Sequence, residues 1–494
     1  MFGYGQVVAD HNEWQTPEGV TMNEPTSPLR TSSMATPLEP YYTNRGVPIK
    51  FFLTPELMPD AETDSQLQRL AQTRGLVHHV AVLPDVHRKS RNLSPTGTVV
   101  AAKDAIIPRA VDTGICCGMR MVKTEVNARD LSAAILDELF AELQRTIPVM
   151  EHEHEPISKE DVVEILVHGG AWSQKRFGLN EEEMNALEER GTMPTDTDDR
   201  ETILAALPDK TIKKARRGFG TLGDGNHFLE LQEIVEVLEP EIARQLGLHL
   251  GQAMFMLHTG SRSVGSKMMK GFLEEHEARF LAENNCAAIW PMSSASPLGQ
   301  SYGRAVAAAS NFGFANRIAI TEQVRAAMRK VLHDDALRLP LLYDCAHVSI
   351  KLEDWRGEKL WLHRHGASRA LPPSLCGKHP VFARTGQPVP VPGSMGHASF
   401  IGVADEGAIE SFCSVNHGAG RVMDKPEAEA QFTAEQVEAE MRAKNIRLYR
   451  YGSDNIAEQA PSSFKDISQV IRAMQALRLA KPVVRLQPVA VLKG

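Results

Sequence analysis

Long apolar runs are missing from this sequence. No stretch of about 18 apolar residues occurs, which argues against a membrane-spanning helix. The opening residues MFGYGQVVADHNEW lack the basic start and apolar core of a signal peptide, so the expected location is cytoplasmic, with no membrane partner. Cysteine is thin as well. Cys116, Cys117, Cys286, Cys345, Cys376 and Cys413 are scattered, which excludes a disulfide framework and makes most of them small buried side chains. An excess of positive charge is also absent. The formal net charge is −8, so nucleic acid would need a local cationic face on an acidic whole. No internal repeat and no clean βαβ rhythm occur, which favours an α+β fold over a doubly wound sheet. Hydrophobic residues make up 42% of the 494 and charged residues 23%, ordinary globular values that leave room for a large core.

What is present falls into punctuated elements. Residues Gln15 to about Gly46 are rich in Pro, Thr and Ser and read as an extended or flexible arm. The apolar run His79–Leu83 suits a buried strand that stops at Pro84, and Val99–Ala102 is a second strand. A helix is expected from about Leu131 to Arg145, with Ile135, Leu136, Leu139, Phe140 and Leu143 on one face and Pro148 beyond its end. Glu181–Arg190 reads as a solvated helix. Ser301–Leu332 reads as a long buried Ala-rich helix, interrupted near Gly313. Thr433 with Gln436 forms a capping box for a helix to about Lys444. Asp466 caps a last helix whose face is Ile467, Val470, Ile471, Met474 and Leu477.

Four histidines stand beside Gly, Asn, Ser or Arg in turn-like settings: His227 in GTLGDGNHFLE, His258 in MLHTGSRSVG, His347 in LLYDCAHVSIKLE and His417 in SVNHGAGR. Each follows a short apolar run, an arrangement that would place imidazoles at the ends of strands, pointing into one cleft. Neutral imidazoles and a thiolate such as Cys117 are metal ligands. No pair shows a compact spacing of the HExxH kind, and each histidine taken singly also suits a structural role. Gly-rich loops accompany them (GTLGDG, PGSMGHAS, HGAGR), and glycine lets backbone N–H groups turn toward a phosphate, although tight turns use glycine too. Arg262, Arg421 and Lys425 are close in sequence to these histidines. A histidine, a flexible backbone and an Arg suit phosphoryl or nucleotidyl transfer, with the histidine as nucleophile.

Taken in order, the segments PDVH (84–87), CGMR (117–120), GTLGDGNHFLE (220–230), HTGSR (258–262), YDCAH (343–347), HRHGASRA (363–370), GQPVPVPGSMGHAS (386–399), HGAGRVM (417–423), FKDI (464–467) and the terminal LKG resemble the RtcB family of RNA ligases. The resemblance implies one α+β catalytic domain over residues 47–494, with mixed sheets flanked by helices, behind an arm over residues 1–46. It implies that His417 attacks the α-phosphate of GTP and becomes guanylylated. Cys117, His227, His258 and His347 would hold Mn²⁺, as one or two ions, with Zn²⁺ or Co²⁺ as alternatives. Asn226, Phe228, Glu230, Gly393, Ser394, Met395, Ser399, Gly418, Ala419, Gly420 and Lys493 would line the guanylate pocket. Arg262, Arg421 and Lys425 would contact phosphates of GTP or RNA. The implied substrates are RNA with 3′-phosphate or 2′,3′-cyclic phosphate ends and RNA with 5′-hydroxyl ends, joined in RNA repair or tRNA splicing, with an archease-like protein as activating partner.

The sequence departs from the family pattern at several points. The family carries an Asp three residues before the ligand cysteine, where this chain has Gly114. Asp112 would then shift in as ligand, or Cys116 would add a second thiolate, or one metal site is lost. The stretch after PDVH carries Arg88, Lys89 and Arg91 in place of a Gly-rich segment, either a solvated basic loop or an RNA-backbone contact. Val348 replaces an Asn, Asp424–Lys425 replaces Ser–Arg, and Phe464 replaces a Tyr. These changes mark a divergent paralogue. They leave open, beside a working ligase, a 3′-end guanylyltransferase that ligates poorly and a non-catalytic RNA- or nucleotide-binding protein.

Overall fold

A computed structural model describes residues 46–494, except 91, 154, 209, 285–288 and 453–454. The expected N-terminal arm, apart from Gly46, lies outside the described residues, as do Arg91 and Cys286.

Two sheets carry the site. The larger runs in the order Pro388–Val391, Ser399–Ala404, Ala480–Lys493, Phe228–Val237, Gln252–Thr259, Gly118–Asn127, Leu341–Ala346, with Arg447–Arg450 also paired to Ala480–Lys493. Its pairs are antiparallel apart from the Arg447–Arg450 pairing. Gln252–Thr259 and Leu341–Ala346 are buried along their whole length, so apolar residues fill both of their faces rather than alternating with exposed ones. On one side Leu136, Leu139, Phe140 and Leu143 of the Ala133–Thr146 helix join Ile320, Val324 and Met328 of the Pro297–Leu332 helix over Leu229, Leu231, Phe255 and Leu257. The smaller sheet has the order Ile49–Phe51, Leu76–His87, Thr96–Ala102, Glu358–His365, Val348–Trp355. The apolar faces of Ala61–Ala71 and Ile467–Ala476 belong to the core of that sheet. One residue, His347, separates Leu341–Ala346 of the larger sheet from Val348–Trp355 of the smaller. The chain thus passes between sheets at a candidate ligand.

Local chemistry explains the helix boundaries. The Ser132 side chain accepts the Ile135 N–H, Asp466 accepts that of Ser468, and Thr433 and Gln436 form a reciprocal box before Ala434–Ala443. Three expectations need correction. Pro84 does not end its strand: Leu76–His87 runs through it, and the register shifts between Val82 and His87, so the proline sits in a bulge, where it displaces no ladder bond. Pro297–Leu332 is one uninterrupted helix. Gly313 is there for space, since a Cβ on it would come within 2.9 Å of the Cys116 side chain. Glu181–Arg190 is no solvated helix. Glu181–Asn185 forms a short helix, then Glu189 and Arg190 turn left-handed, and buried Glu188 pairs with Lys351.

Candidate functional site

Cys117, His227 and His258 converge where strands of the larger sheet begin or end. His227 immediately precedes the strand Phe228–Val237, His258 lies one residue before the end of Gln252–Thr259, and Cys117 precedes Gly118–Asn127. His227 therefore opens a strand, whereas the run before it in sequence is a loop. The Cys117 Sγ stands 3.4 Å from His227 Nε2 and 3.2 Å from His258 Nε2, and one ligand atom from each of the three lies within 4.8 Å of the others. His347 Nε2 is 3.2 Å from His258 Nε2, and its Nδ1 is buried with no hydrogen-bond partner among the described residues. Backbone bonds lock this corner: His347 N–H donates to Cys117 O, and Cys116 N–H to Val348 O. Gly260 is required beside it, because a Cβ there would stand 2.7 Å from the Cys117 Cα.

Burial sets the charge states. It holds His227, His258 and His347 well below the usual imidazole pKa, so their rings are neutral, and a hydrogen bond that His258 donates to the Asn226 backbone carbonyl steadies it. Burial also pushes the Cys117 thiol up to about 12, against the opposing charges of Lys89 and Arg317. The thiolate form thus requires a strong cation at this place. Neutral imidazoles, an unpartnered ring nitrogen and a thiol that only a cation would ionise fit a divalent metal.

His417 adjoins the cluster, with its ring centroid 4.7 Å from that of His347. Its Nδ1 is 2.7 Å from Asp85 Oδ2 and 2.9 Å from the Gly366 carbonyl oxygen. A carbonyl only accepts, so Nδ1 carries the proton and Nε2 keeps its lone pair. Asp85 lies within PDVH, but the sequence alone assigns it no role. The signal was a lone acid inside an apolar strand. Lys465, in FKDI, was missed in the same way. Its ammonium donates to Pro84 O at 3.2 Å and Val86 O at 2.6 Å, gripping the two peptides around Asp85.

The pocket residues gather around the strand Phe228–Val237. The Lys493 ammonium is 5.5 Å from the Phe228 ring centroid and 3.4 Å from the carbonyl oxygens of Gly225 and His227. Buried Glu230 is raised to about 7 by desolvation, and Lys493 is lowered to about 8 by the same cause, each partly restored by the other's charge. Gln232 ties Glu230 to Ser399, and the Ser399 hydroxyl accepts the Gly393 N–H at 3.4 Å. Ser394 bonds His397, and Met395 is buried in the apolar cluster behind. Ala419 N–H donates to Pro392 O at 3.0 Å, Gly418 packs on Pro392, and a Cβ on Gly420 (φ +75°) would meet Asp85 O at 2.3 Å. The two Gly-rich loops therefore lie against each other and against the His417 partner.

The cations are placed unequally. Arg262 Nη1 is 3.5 Å from His227 Nδ1, while its Nε and Nη2 are spent on Thr221 and Val149. Arg421 donates to the Met423 and Glu458 carbonyls and lies over Phe464, and Lys425 pairs with Glu458. Arg88 pairs with Glu62 and Lys89 with Asp112, so neither is a bare solvated cation. Asp112 does not join the cluster: its Oδ2 takes Lys89 and its Oδ1 takes Thr113. Cys116 also turns away, its sulfur 3.7 Å from Arg317 and packed on Gly313.

The fold brings a thiol, imidazoles, cations and Gly-rich loops together around His417. The family described as tRNA-splicing ligase RtcB matches residues 66–494. Similar curated proteins include the tRNA-splicing ligases RtcB of Pyrobaculum aerophilum (33% identical, over 91% of this chain and 95% of the relative), Nanoarchaeum equitans (31%, 91% and 95%) and Archaeoglobus fulgidus (32%, 92% and 96%). The chain belongs to the RtcB family and is an RNA ligase.

Proposed function

We propose that the chain is a GTP- and metal-dependent ligase that joins RNA 3′-phosphate or 2′,3′-cyclic phosphate ends to 5′-hydroxyl ends through guanylylated His417. One observation carries this reading: Asp85 and the Gly366 carbonyl hold the His417 Nδ1 proton, which leaves Nε2 as a free nucleophile beside the thiol–imidazole cluster. Nε2 attacks the α-phosphorus of GTP; a P–N bond forms, the α–β P–O bond breaks and pyrophosphate leaves. As the imidazole becomes cationic, the Asp85 carboxylate stabilises it. GMP then passes to an oxygen of the RNA 3′-phosphate, a cyclic end having first been opened by water. The 5′-hydroxyl oxygen finally attacks the 3′-phosphorus and expels GMP, and its proton goes to solvent or a basic group.

Glu230 and Lys493 supply a carboxyl and an ammonium at the base pocket, and Ser399 and the Gly-rich loops offer hydroxyl and backbone donors. Cys117, His227, His258 and His347 would hold the divalent ion, Mn²⁺ or a Zn²⁺- or Co²⁺-like substitute, which when bound neutralises phosphate charge.

Purified protein incubated with α-labelled GTP and Mn²⁺ is expected to retain label, and His417→Ala to retain none. A folded protein that takes no label with Mn²⁺, Zn²⁺ or Co²⁺ sinks the guanylylation route. Label without joined RNA would mark a 3′-end guanylyltransferase instead.

A further inference from the structure

We propose that the centre of this chain holds one divalent ion rather than two. The inference rests on the metal-centre reading above. Among the described residues, Cys117, His227 and His258 form the one group of ligand atoms within 4.8 Å of one another, and it contains no carboxylate. These three donors, with His347 Nε2 3.2 Å from His258 Nε2, suffice for one ion. A second dication would need further negative charge, since a single thiolate would face two dications in a buried, low-dielectric corner.

Neither nearby carboxylate joins the ligand group. Asp112 uses Oδ2 on Lys89 at 2.7 Å and Oδ1 on the Thr113 N–H at 2.6 Å. Asp85 uses Oδ2 on His417; its Oδ1 is buried without a hydrogen-bond partner among the described residues, but it packs on the Gly97 backbone and is not one of the clustered ligand atoms. The Lys89–Asp112 pair, at 2.7 Å, is neutral as a unit and so brings no net negative charge to the centre.

Gly114 is the position from which a carboxylate would reach the centre. It opens the turn closed by Cys117 N–H to Gly114 O at 2.9 Å. A Cβ added there has one heavy-atom neighbour within 4 Å, the Cys117 Cβ at 3.9 Å, and Gly114 is not among the glycines with positive φ. A side chain at 114 therefore fits without strain and starts beside the Cys117 Cβ, from which it can extend toward the cluster.

The test uses the full-length chain, stripped with chelator and dialysed against Mn²⁺ alone. Ions per chain are counted by mass spectrometry of the metal, and binding isotherms by calorimetry. The wild type is expected to hold one ion, Gly114→Ala one, Gly114→Asp two and Cys117→Ala none, with circular dichroism confirming the fold of each. Two ions on the wild type would overturn the single-ion inference and leave the metal centre standing. A Gly114→Asp protein that still binds one would overturn the assignment of position 114. A wild type that binds none would sink the metal centre itself.

Discussion

Replacing Asp85 with Asn changes a charge and almost no volume. The carboxylate accepts both the ring and the backbone N–H of His417, at 2.7 and 3.2 Å. An amide in its place would offer at best a neutral acceptor, and it would leave the cation formed on guanylylation without its counter-charge. Gly366 O still selects the tautomer, so the loss falls on rate. Asp85→Asn is expected to slow labelling of His417 by about 10²- to 10⁴-fold, by analogy with the carboxylate of a hydrolytic triad. GTP affinity, read by equilibrium binding, should move only a few-fold. A labelling rate within tenfold of wild type would remove Asp85 from the chemistry. His417 was legible in the sequence because HGAGR surrounds it with chemistry. Asp85 was not, because its partner is 332 residues away and a buried acid in an apolar strand has no periodicity to betray it.

At the level of elements, the candidate ligands are held from beneath by a buried ionic knot. Arg317, on the long helix, donates to Asp344 Oδ1 at 2.8 Å and to the carbonyls of Cys116 and Thr259, the neighbours of two ligands. Arg120 meets Asp344 Oδ2 at 2.9 Å, and all three side chains are fully buried. Asp344→Leu would strand two guanidinium groups, and about 3–5 kcal/mol of stability should go in urea titrations. The long helix also feels Gly313. Gly313→Ala drives a methyl into Cys116, with an expected cost of about 1–3 kcal/mol and roughly 10- to 100-fold weaker Mn²⁺ binding, as when groups behind metal ligands are disturbed. Helix caps at Ser132, Thr433 and Asp466 were readable because capping is local. Gly313 and Pro84 misled because their reasons are tertiary. One makes room for a residue nearly two hundred positions away, and the other rides a bulge in a strand that continues past it.

Across the whole molecule, the acidic exterior and the neutral histidines inside set the response to pH. His363 and His365 lie on Glu358–His365 of the smaller sheet, fully buried. His363 Nε2 accepts the Ile107 N–H at 2.9 Å, and His365 bonds Ser94 at 3.1 Å. Burial lowers His363 to about 4 and His365 to about 3. Both are neutral when folded, whereas the unfolded chain protonates them near the usual value of about 6.5. Their contribution is therefore complete above that value and lost as pH falls from it toward 4. Each should steepen the loss by up to about 1.4 kcal/mol per pH unit. Urea unfolding of chelator-treated protein at pH 7, 6 and 5 reads the combined slope, to which the buried metal-site histidines also add. Repeating the series on His363→Gln isolates one term, and the mean slope between pH 7 and 5 should fall by about 0.9 kcal/mol per unit. An unchanged slope would mean that His363 protonates without unfolding the sheet. Because Asp85 rides the Leu76–His87 strand of that same sheet, acid that melts it should abolish His417 labelling in step with stability.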